Sequence, residues 1–132
     1  MDRRADAWRR AVERAQTRPE HILVADNAGT VVGFVSAGPT RDADGDAGIG
    51  EVYAIYVEPA VVGAGVGRRL FQEATDALRQ DGCIEATLWV LEDNARARRF
   101  YAAAGWRPDG ATKVEERPGF HLREVRYRGH LR

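Results

Sequence analysis

Several residue types and patterns are scarce in this chain, and each scarcity excludes a class of protein. Cys83 is the only cysteine among 132 residues, so neither an intramolecular disulfide nor a cluster of cysteine metal ligands can form. No apolar run is long enough to cross a membrane, and the charged N-terminus has no apolar signal segment. These absences predict a cytoplasmic protein without a disulfide framework.

An excess of charge is also missing. Lys plus Arg and Asp plus Glu both number 20, for a net charge of +0, which favours neither nucleic acid nor an anionic membrane as a partner. Lys113 is the only lysine. The histidines, His21, His121 and His130, lie too far apart in sequence to form a local metal motif, and we expect no metal cofactor.

The length allows one domain with a substantial core, so we predict a single domain over residues 1–132. Hydrophobic spacing and turn residues predict an alternation of helices and strands, and this order is typical of an α/β (α+β) domain built on a mixed sheet. The predicted elements are a helix over Ala5–Gln16, strands over His21–Ala25 and Thr30–Ala37, a strand from Glu51, a helix through Leu70 that stops at Asp81-Gly82, a strand over Ile84–Leu91, a helix from Asn94 to Gly105, and strands over Trp106–Lys113 and Leu122–Tyr127.

The stretch from Glu51 to Leu70 organises the rest of the chain. A β-branched and aromatic run is followed by Gly63, Gly65 and Gly67 and then by a helical pattern, which predicts a strand, a turn and a helix. Backbone N–H groups of such a turn, with those of the first helical turn, form a site suited to a phosphate or pyrophosphate. The alternative is a tight turn that uses glycine for its geometry alone.

Three common ligand motifs do not match. A P-loop needs Lys-Ser/Thr after its last glycine, where this chain has Arg68-Arg69, and no G-x-G-x-x-G spacing is present for a dinucleotide. The acidic run between Arg41 and Gly48 resembles a calcium loop, but its sixth and twelfth positions are Ala47 and Tyr53 instead of Gly and Glu. We interpret this run as a solvated loop.

The glycine turn resembles the signature Arg/Gln-x-x-Gly-x-Gly/Ala of the GNAT superfamily of acyl-CoA-dependent N-acyltransferases, which wraps the pyrophosphate of CoA. Gly65-Val66-Gly67 matches its glycine end, and Val62 stands where the family has Arg or Gln. A second family pattern, N-x-x-A-x-x-F-Y-x-x-x-G-F/W, is matched from Asn94 to Trp106. Both motifs occur in the family's order and spacing, and the resemblance covers roughly residues 5–128.

The resemblance implies a GNAT-like fold, with a mixed, mostly antiparallel sheet flanked by helices, in which the usual first strand and helix are missing. It implies acetyl-CoA as co-substrate and no metal. The backbone of Ile55, Tyr56 and Val57 would align the pantetheine arm as an added strand, and one of these amides would polarise the thioester carbonyl. The other implied contacts are the amides of Val62, Gly63, Ala64, Gly65, Val66, Gly67 and Arg68 on the pyrophosphate, Asn94 on the pantetheine, and Arg98 or Arg99 near the adenosine phosphates.

By the same resemblance Tyr101 occupies the family's general-acid position, where its hydroxyl protonates the departing thiolate. Taken alone, Tyr101 is equally a core aromatic and Asn94 a helix cap. Glu51 is the candidate base, and strand alternation predicts that it shares a face with Tyr53, Ile55 and Val57. The alternative is an exposed charge at the strand end, and Glu85 and Glu92 are weaker candidates for the base.

The predicted activity is transfer of an acetyl group from acetyl-CoA to a primary amine of an unidentified acceptor. Two other classes stay open. A non-catalytic acyl-CoA-binding or regulatory module would bind CoA and be insensitive to Tyr101→Phe, and a partner-binding domain would have no affinity for CoA. Pairing of terminal strands, which is common in the family, would give a homodimer.

Overall fold

The computed structural model describes residues 8–10 and 20–131 of the chain. The described strands form one sheet in the order β1-β2-β3-β4-β5-β7-β6, in which only β4 and β5 run parallel. The predicted mixed, mostly antiparallel sheet is therefore confirmed. The elements are β1 (Trp8–Arg10), β2 (His21–Asn27), β3 (Thr30–Pro39), β4 (Ile49–Val57), a 3₁₀ turn (Pro59–Val61), α1 (Val66–Gln80), β5 (Glu85–Leu91), α2 (Ala95–Ala103), β6 (Arg107–Arg117) and β7 (Phe120–His130).

The N-terminal prediction is wrong where the structure tests it. Trp8–Arg10 is not helical but forms β1, which pairs antiparallel with β2. A strand therefore precedes the β2–β3 hairpin, against the expectation that the first strand is missing. Residues 5–7 and 11–16 of the predicted helix, and the question of a missing first helix, lie outside the described residues.

The two helices among the described residues pack on one face of the sheet, and the hydrophobic core lies between them and the strands. α1 presents an apolar stripe to the core, whose fully buried members are Leu70 and Leu78, and it ends before Gly82, which has φ +98°. α2 begins at Asn94, whose side-chain oxygen accepts a hydrogen bond from the N–H of Ala97 at 3.0 Å. Ala104, which the predicted helix from Asn94 to Gly105 includes, lies beyond the end of α2 and is exposed.

A β-bulge in β4 changes which side chains share a face. Ala54 pairs with Ser36 but Val52 pairs with Ala37, so Tyr53 is an extra residue in the strand. Val52 therefore joins Ile55 and Val57 in the core, and Glu51 points to the opposite face. The prediction that Glu51 lies on the face of Ile55 and Val57 is wrong, because strict alternation fails at the bulge.

The same strand leaves its parallel partner almost at once. β4 and β5 pair only at Ile49 with Glu85, Gly50 with Ala86 and Glu51 with Thr87. Beyond this last rung the two strands diverge, while β4 still pairs with β3 and β5 still pairs with β7. An opening thus passes through the middle of the sheet.

Candidate active site

A cleft of about 1150 Å³ lies where β4 and β5 diverge. Its walls include residues of both sheet faces: Leu88 and Val90 belong to the helix-side core, whereas Trp89, which alternates with them, lies on the other face. The cleft is large enough for a sizeable ligand. It connects the helical side of the sheet with the opposite side.

Unpaired backbone N–H groups lie at the helical end of this cleft. Gly63 and Gly65 have φ +97° and +88°, a conformation that glycine adopts without strain, and Gly65 is the N-cap of α1. Two amides of the predicted set are not available, because Val62 N–H donates to the Pro59 carbonyl and Ala64 N–H to the Val61 carbonyl. The N–H groups that remain for an anion are those of Gly63, Gly65, Val66, Gly67 and Arg68.

Exposed arginine side chains add positive charge to the cleft. Arg68 and Arg96 line the cleft and are exposed. Of the predicted arginines, Arg68 lines the cleft, whereas Arg98 and Arg99 do not. Arg98 donates to the Tyr127 hydroxyl at 3.1 Å and to the Glu92 carbonyl at 2.9 Å. It therefore holds α2 against the sheet and does not line the cleft.

Tyr101 reaches the cleft from α2 and is 7% exposed. Its ring packs among Phe71, Phe100 and Tyr127, with centroid distances of 5.6, 5.4 and 6.0 Å. Its hydroxyl makes no hydrogen bond with any described residue, and burial raises the pKa of this hydroxyl above its usual value. The group is therefore fixed in place, protonated at neutral pH and available to a ligand.

Glu51 lies at the last rung of the β4–β5 pair, where the opening begins. It is 7% exposed, so the alternative of an exposed strand-end charge is wrong. Its Oε1 accepts a hydrogen bond from the Arg41 N–H at 2.8 Å. Burial raises the pKa of this carboxyl, and the Arg41 N–H offsets part of that effect. The side chain does not line the cleft itself.

The other two carboxylates considered as bases are engaged elsewhere. Glu85 pairs with Arg128 at 2.9 Å and lies 3.7 Å from His130. Glu92 is an exposed partner of Arg123 at 3.3 Å. Neither side chain lines the cleft. Of the three carboxylates, Glu51 is the one at the last rung of the β4–β5 pair, where the opening begins.

A cluster of ion pairs around the buried Arg126 lies on the far face of the sheet beside the cleft. Arg126, 6% exposed, donates to the carboxylates of Asp42, Asp44 and Asp109 at 2.8 to 3.1 Å. Asp42 also accepts from the indole Nε1 of Trp89 at 3.0 Å. The acidic loop is thus held on the sheet by an arginine, and hydrogen bonds from that arginine keep the pKa of Asp44 below its usual value.

The structure brings most of the predicted residues together. Those that line the cleft are Ile55, Tyr56, Val57, Val62, Gly63, Gly65, Gly67, Arg68, Asn94 and Tyr101; those that do not are Glu51, Ala64, Val66 and Arg98. Trp89, Glu124 and Arg96 were missed. Alternation marks Glu124 as a residue of the face opposite Val125, but only the pairing of β7 with β5 places it at the cleft.

Among residues 8–10 and 20–131, no group of His, Cys, Asp and Glu side chains is arranged to hold a metal ion. None of the described helices combines the length and the apolar character needed to span a membrane.

The opening through the sheet thus has unpaired amides on its helical side and an acidic, aromatic wall on the other side. Residues 2–106 match the family model described as Acetyltransferase (GNAT) family. The chain therefore belongs to the GNAT acetyltransferases, whose acyl donor is acetyl-CoA.

Known proteins agree with this assignment. The chain is 38% identical over 89 residues to a mycothiol acetyltransferase of Thermobispora bispora, covering 67% of this chain and 30% of that protein. Its fold is similar to an acetyltransferase of Salmonella typhimurium solved with acetyl-CoA (TM-score 0.72, 27% identity, 88% of this chain and 66% of that one) and to a Brucella melitensis ribosomal-protein-alanine N-acetyltransferase (TM-score 0.73, 26% identity, 84% and 68%). The chain spans less than a third of the mycothiol acetyltransferases that it matches.

Proposed function

We propose that this chain transfers an acetyl group from acetyl-CoA to a primary amine, which attacks the thioester directly. The observation that carries the proposal is the cleft through the sheet, which has unpaired amides at its helical end and the Tyr101 hydroxyl in its wall. In this arrangement the donor enters from the helices and the amine from the opposite face.

The donor fits the features of the helical side. The pyrophosphate would accept hydrogen bonds from the unpaired amides between Gly63 and Arg68, where the positive end of the α1 dipole adds to the attraction. The pantetheine would lie along β4 after Glu51, because the backbone groups that point towards β5 have no strand to pair with there. Val62 does not weaken this site much, since the contacts come from backbone.

The thioester chemistry needs an acid, a base and an oxyanion donor. The buried Tyr101 hydroxyl, with its raised pKa, donates a proton to the departing thiolate. A backbone N–H of Ile55, Tyr56 or Val57 stabilises the oxyanion. Glu51, with a pKa raised by burial, accepts the proton of the amine through water, because its side chain does not line the cleft.

Nothing in the donor site selects the acceptor. Because some relatives are named mycothiol acetyltransferase, the acceptor of those enzymes is one compound to include in a screen. A non-catalytic acyl-CoA-binding module is the second candidate, since the same amides and β4 edge would serve it.

Two measurements separate these functions. Acetyl-CoA at about 100 times its dissociation constant adds about 2.7 kcal/mol to the free energy of unfolding, which thermal unfolding detects as a higher Tm. Thiol release with a mixed panel of amines then tests turnover. We expect Tyr101→Phe to lower kcat by about 10²- to 10⁴-fold while the Tm shift with acetyl-CoA stays.

Tyr127→Phe is the matched control, because Tyr127 is buried next to Tyr101 but bonds to Arg98 and does not line the cleft. It should lose some stability and keep its activity. A Tyr101→Phe protein with wild-type turnover would favour a different acid. A Tm shift with no thiol release from any amine would favour the binding module.

A further inference from the structure

The only lysine of the chain places its ammonium group against two residues of the cleft. Lys113 Nζ lies 4.3 Å from the centroid of the Trp89 ring and 3.9 Å from Glu124 Oε1. Trp89 and Glu124 both line the cleft, on the sheet face away from the helices. A primary alkylammonium ion is thus already bound at this wall, and it is supplied by the chain itself.

We propose that the acceptor is an amine with a second positive charge, and that Trp89 and Glu124 bind this second charge in place of Lys113. The inference rests on the proposed acetyl transfer, because it assigns the substrate class of the same cleft. An aromatic face beside a carboxylate is a general binding site for organic ammonium ions.

Trp89 is held ready for such a cation. Its Nε1 donates to both carboxylate oxygens of Asp42, at 3.0 and 3.2 Å, and Asp42 is in turn bound by Arg126. The ring orientation is therefore fixed before a ligand arrives, which removes an ordering cost from binding. A carboxylate on the indole N–H also pushes electron density towards the ring, which strengthens its attraction for a cation.

Two cations lie near the Trp89 ring, and only one of them can be displaced readily. The guanidinium carbon of Arg126 lies 5.6 Å from the ring centroid, but its N–H groups are bound by three carboxylates. Lys113 is half exposed on β6, and its contact with Glu124 is long. An exposed cross-strand pair of this kind contributes little to folding, so a ligand cation can replace it at small cost.

The charges on this face determine which amines fit. Glu124 lines the cleft, and the carboxylates of Glu51 and Asp42 lie on the same face of the sheet without lining it. On the cationic side, Arg41 stacks on the Tyr53 ring at 3.5 Å. An acceptor with a second ammonium would therefore be favoured at Trp89 and Glu124, and one with a carboxylate would meet like charge there.

The test uses three ligands with four carbons each, 1,4-diaminobutane, butylamine and 4-aminobutanoate, with shorter and longer diamines to vary the spacing. Calorimetry measures their binding to the CoA-loaded protein, and thiol release from acetyl-CoA measures turnover. We expect the best diamine to bind about 5- to 30-fold more tightly than its monoamine, with the amino acid weakest.

Variants assign the preference to these side chains. Trp89→Leu and Glu124→Gln should remove the preference for diamines, and Lys113→Gln, which removes the competing ammonium, should tighten diamine binding without affecting butylamine. Glu115→Gln is the control, because Glu115 lies on the same strand as Lys113 but pairs with Arg117. This variant should bind both the diamines and butylamine as tightly as the wild type does.

The two proposals fail in different ways. Turnover with butylamine equal to turnover with every diamine would overturn the second-charge site and leave acetyl transfer in place. Selective diamine binding that Trp89→Leu abolishes, but without thiol release, would support the site and overturn the transfer. A preference for diamines that persists in both Trp89→Leu and Glu124→Gln would overturn the assignment to these residues.

Discussion

Replacing Arg126 by Met should markedly lower the Tm of the chain, because it leaves Asp42 and Asp44 without their cation and Asp109 with Arg128 alone. Breaking a fully buried ion pair costs about 3–5 kcal/mol. The Asp42 and Asp109 side chains are 16% and 15% exposed, so water relieves part of this cost and we expect about 2–3 kcal/mol. For a chain of 132 residues this corresponds to a decrease in Tm of roughly 7–10 °C.

The pH dependence gives the prediction a sign. Hydrogen bonds from Arg126 lower the pKa of Asp44 from 3.8. Burial opposes the decrease at Asp109, but the Ala111 N–H and Arg126 outweigh it. A lowered folded-state pKa stabilises the protein above the unfolded value, and this stabilisation is lost as pH falls through the folded value. The Tm difference between wild type and Arg126→Met should therefore be constant from neutral pH to about 5 and shrink below about 4.

Arg123→Met is the control for this measurement. Arg123 lies on the same strand and pairs with Glu92 at 3.3 Å, but both side chains are well exposed, so its loss should cost less than about 1 kcal/mol. Thermal unfolding of the three proteins at pH 7 and at about pH 3 tests both parts of the prediction. Equal Tm values for the two variants, or a difference that grows in acid, would refute the reasoning.

Three further changes test the cleft. Glu51→Gln should raise the Tm at pH 7. The pKa of Glu51 is raised in the folded protein, so its stabilising contribution is present below the unfolded-state pKa and is lost as pH rises through the folded-state pKa. The same variant should lack the acidic limb of the kcat/KM profile, and an unchanged profile would exclude Glu51 as the base. Gly65→Ala and Gly82→Ala should each lower the free energy of unfolding by about 1–2 kcal/mol in denaturant, because both residues have positive φ. The added methyl meets no atom at either position, so the two losses should be similar. Only Gly65→Ala should weaken acetyl-CoA binding. Gly67→Ala should leave the stability unchanged or raise it by up to about 1 kcal/mol. It should still weaken acetyl-CoA binding in calorimetry, because the added methyl would lie between Val57 and Phe100 in the cleft. An undiminished affinity would place the donor elsewhere.

Local signals predicted the elements around the donor site well. These signals depend only on residues close in sequence: the apolar spacing of α1, the glycines before it and the Asn94 cap. The structure confirms the helices that they predict. The two strands of the β2–β3 hairpin were also predicted. β1 was missed because three residues carry no periodicity, and their strand conformation depends on pairing with β2.

Contacts between distant residues could not be predicted in the same way. Arg126 meets Asp42 and Asp44 across more than 80 residues of sequence, and a single sequence contains no signal for this. Glu124 and Trp89 reach the cleft only because β7 pairs with β5. The bulge at Tyr53 had no glycine or proline to mark it, and so the face of Glu51 was predicted wrongly.

The irregularities of β4 and β5 lie within a few residues of one another, and together they make the site. Pairing with β5 ends at Glu51, which opens the sheet, and the bulge at Tyr53 turns Glu51 to the face from which the acceptor would come. Opposite Glu51, the Thr87 hydroxyl is buried without a hydrogen-bond partner among the described residues, a cost of about 1–3 kcal/mol. Lost strand pairing, a buried carboxylate and an unpaired hydroxyl all lower stability at this rung. Because a ligand along the open edge of β4 would restore pairing there, binding at the cleft should stabilise the centre of the sheet more than its edges.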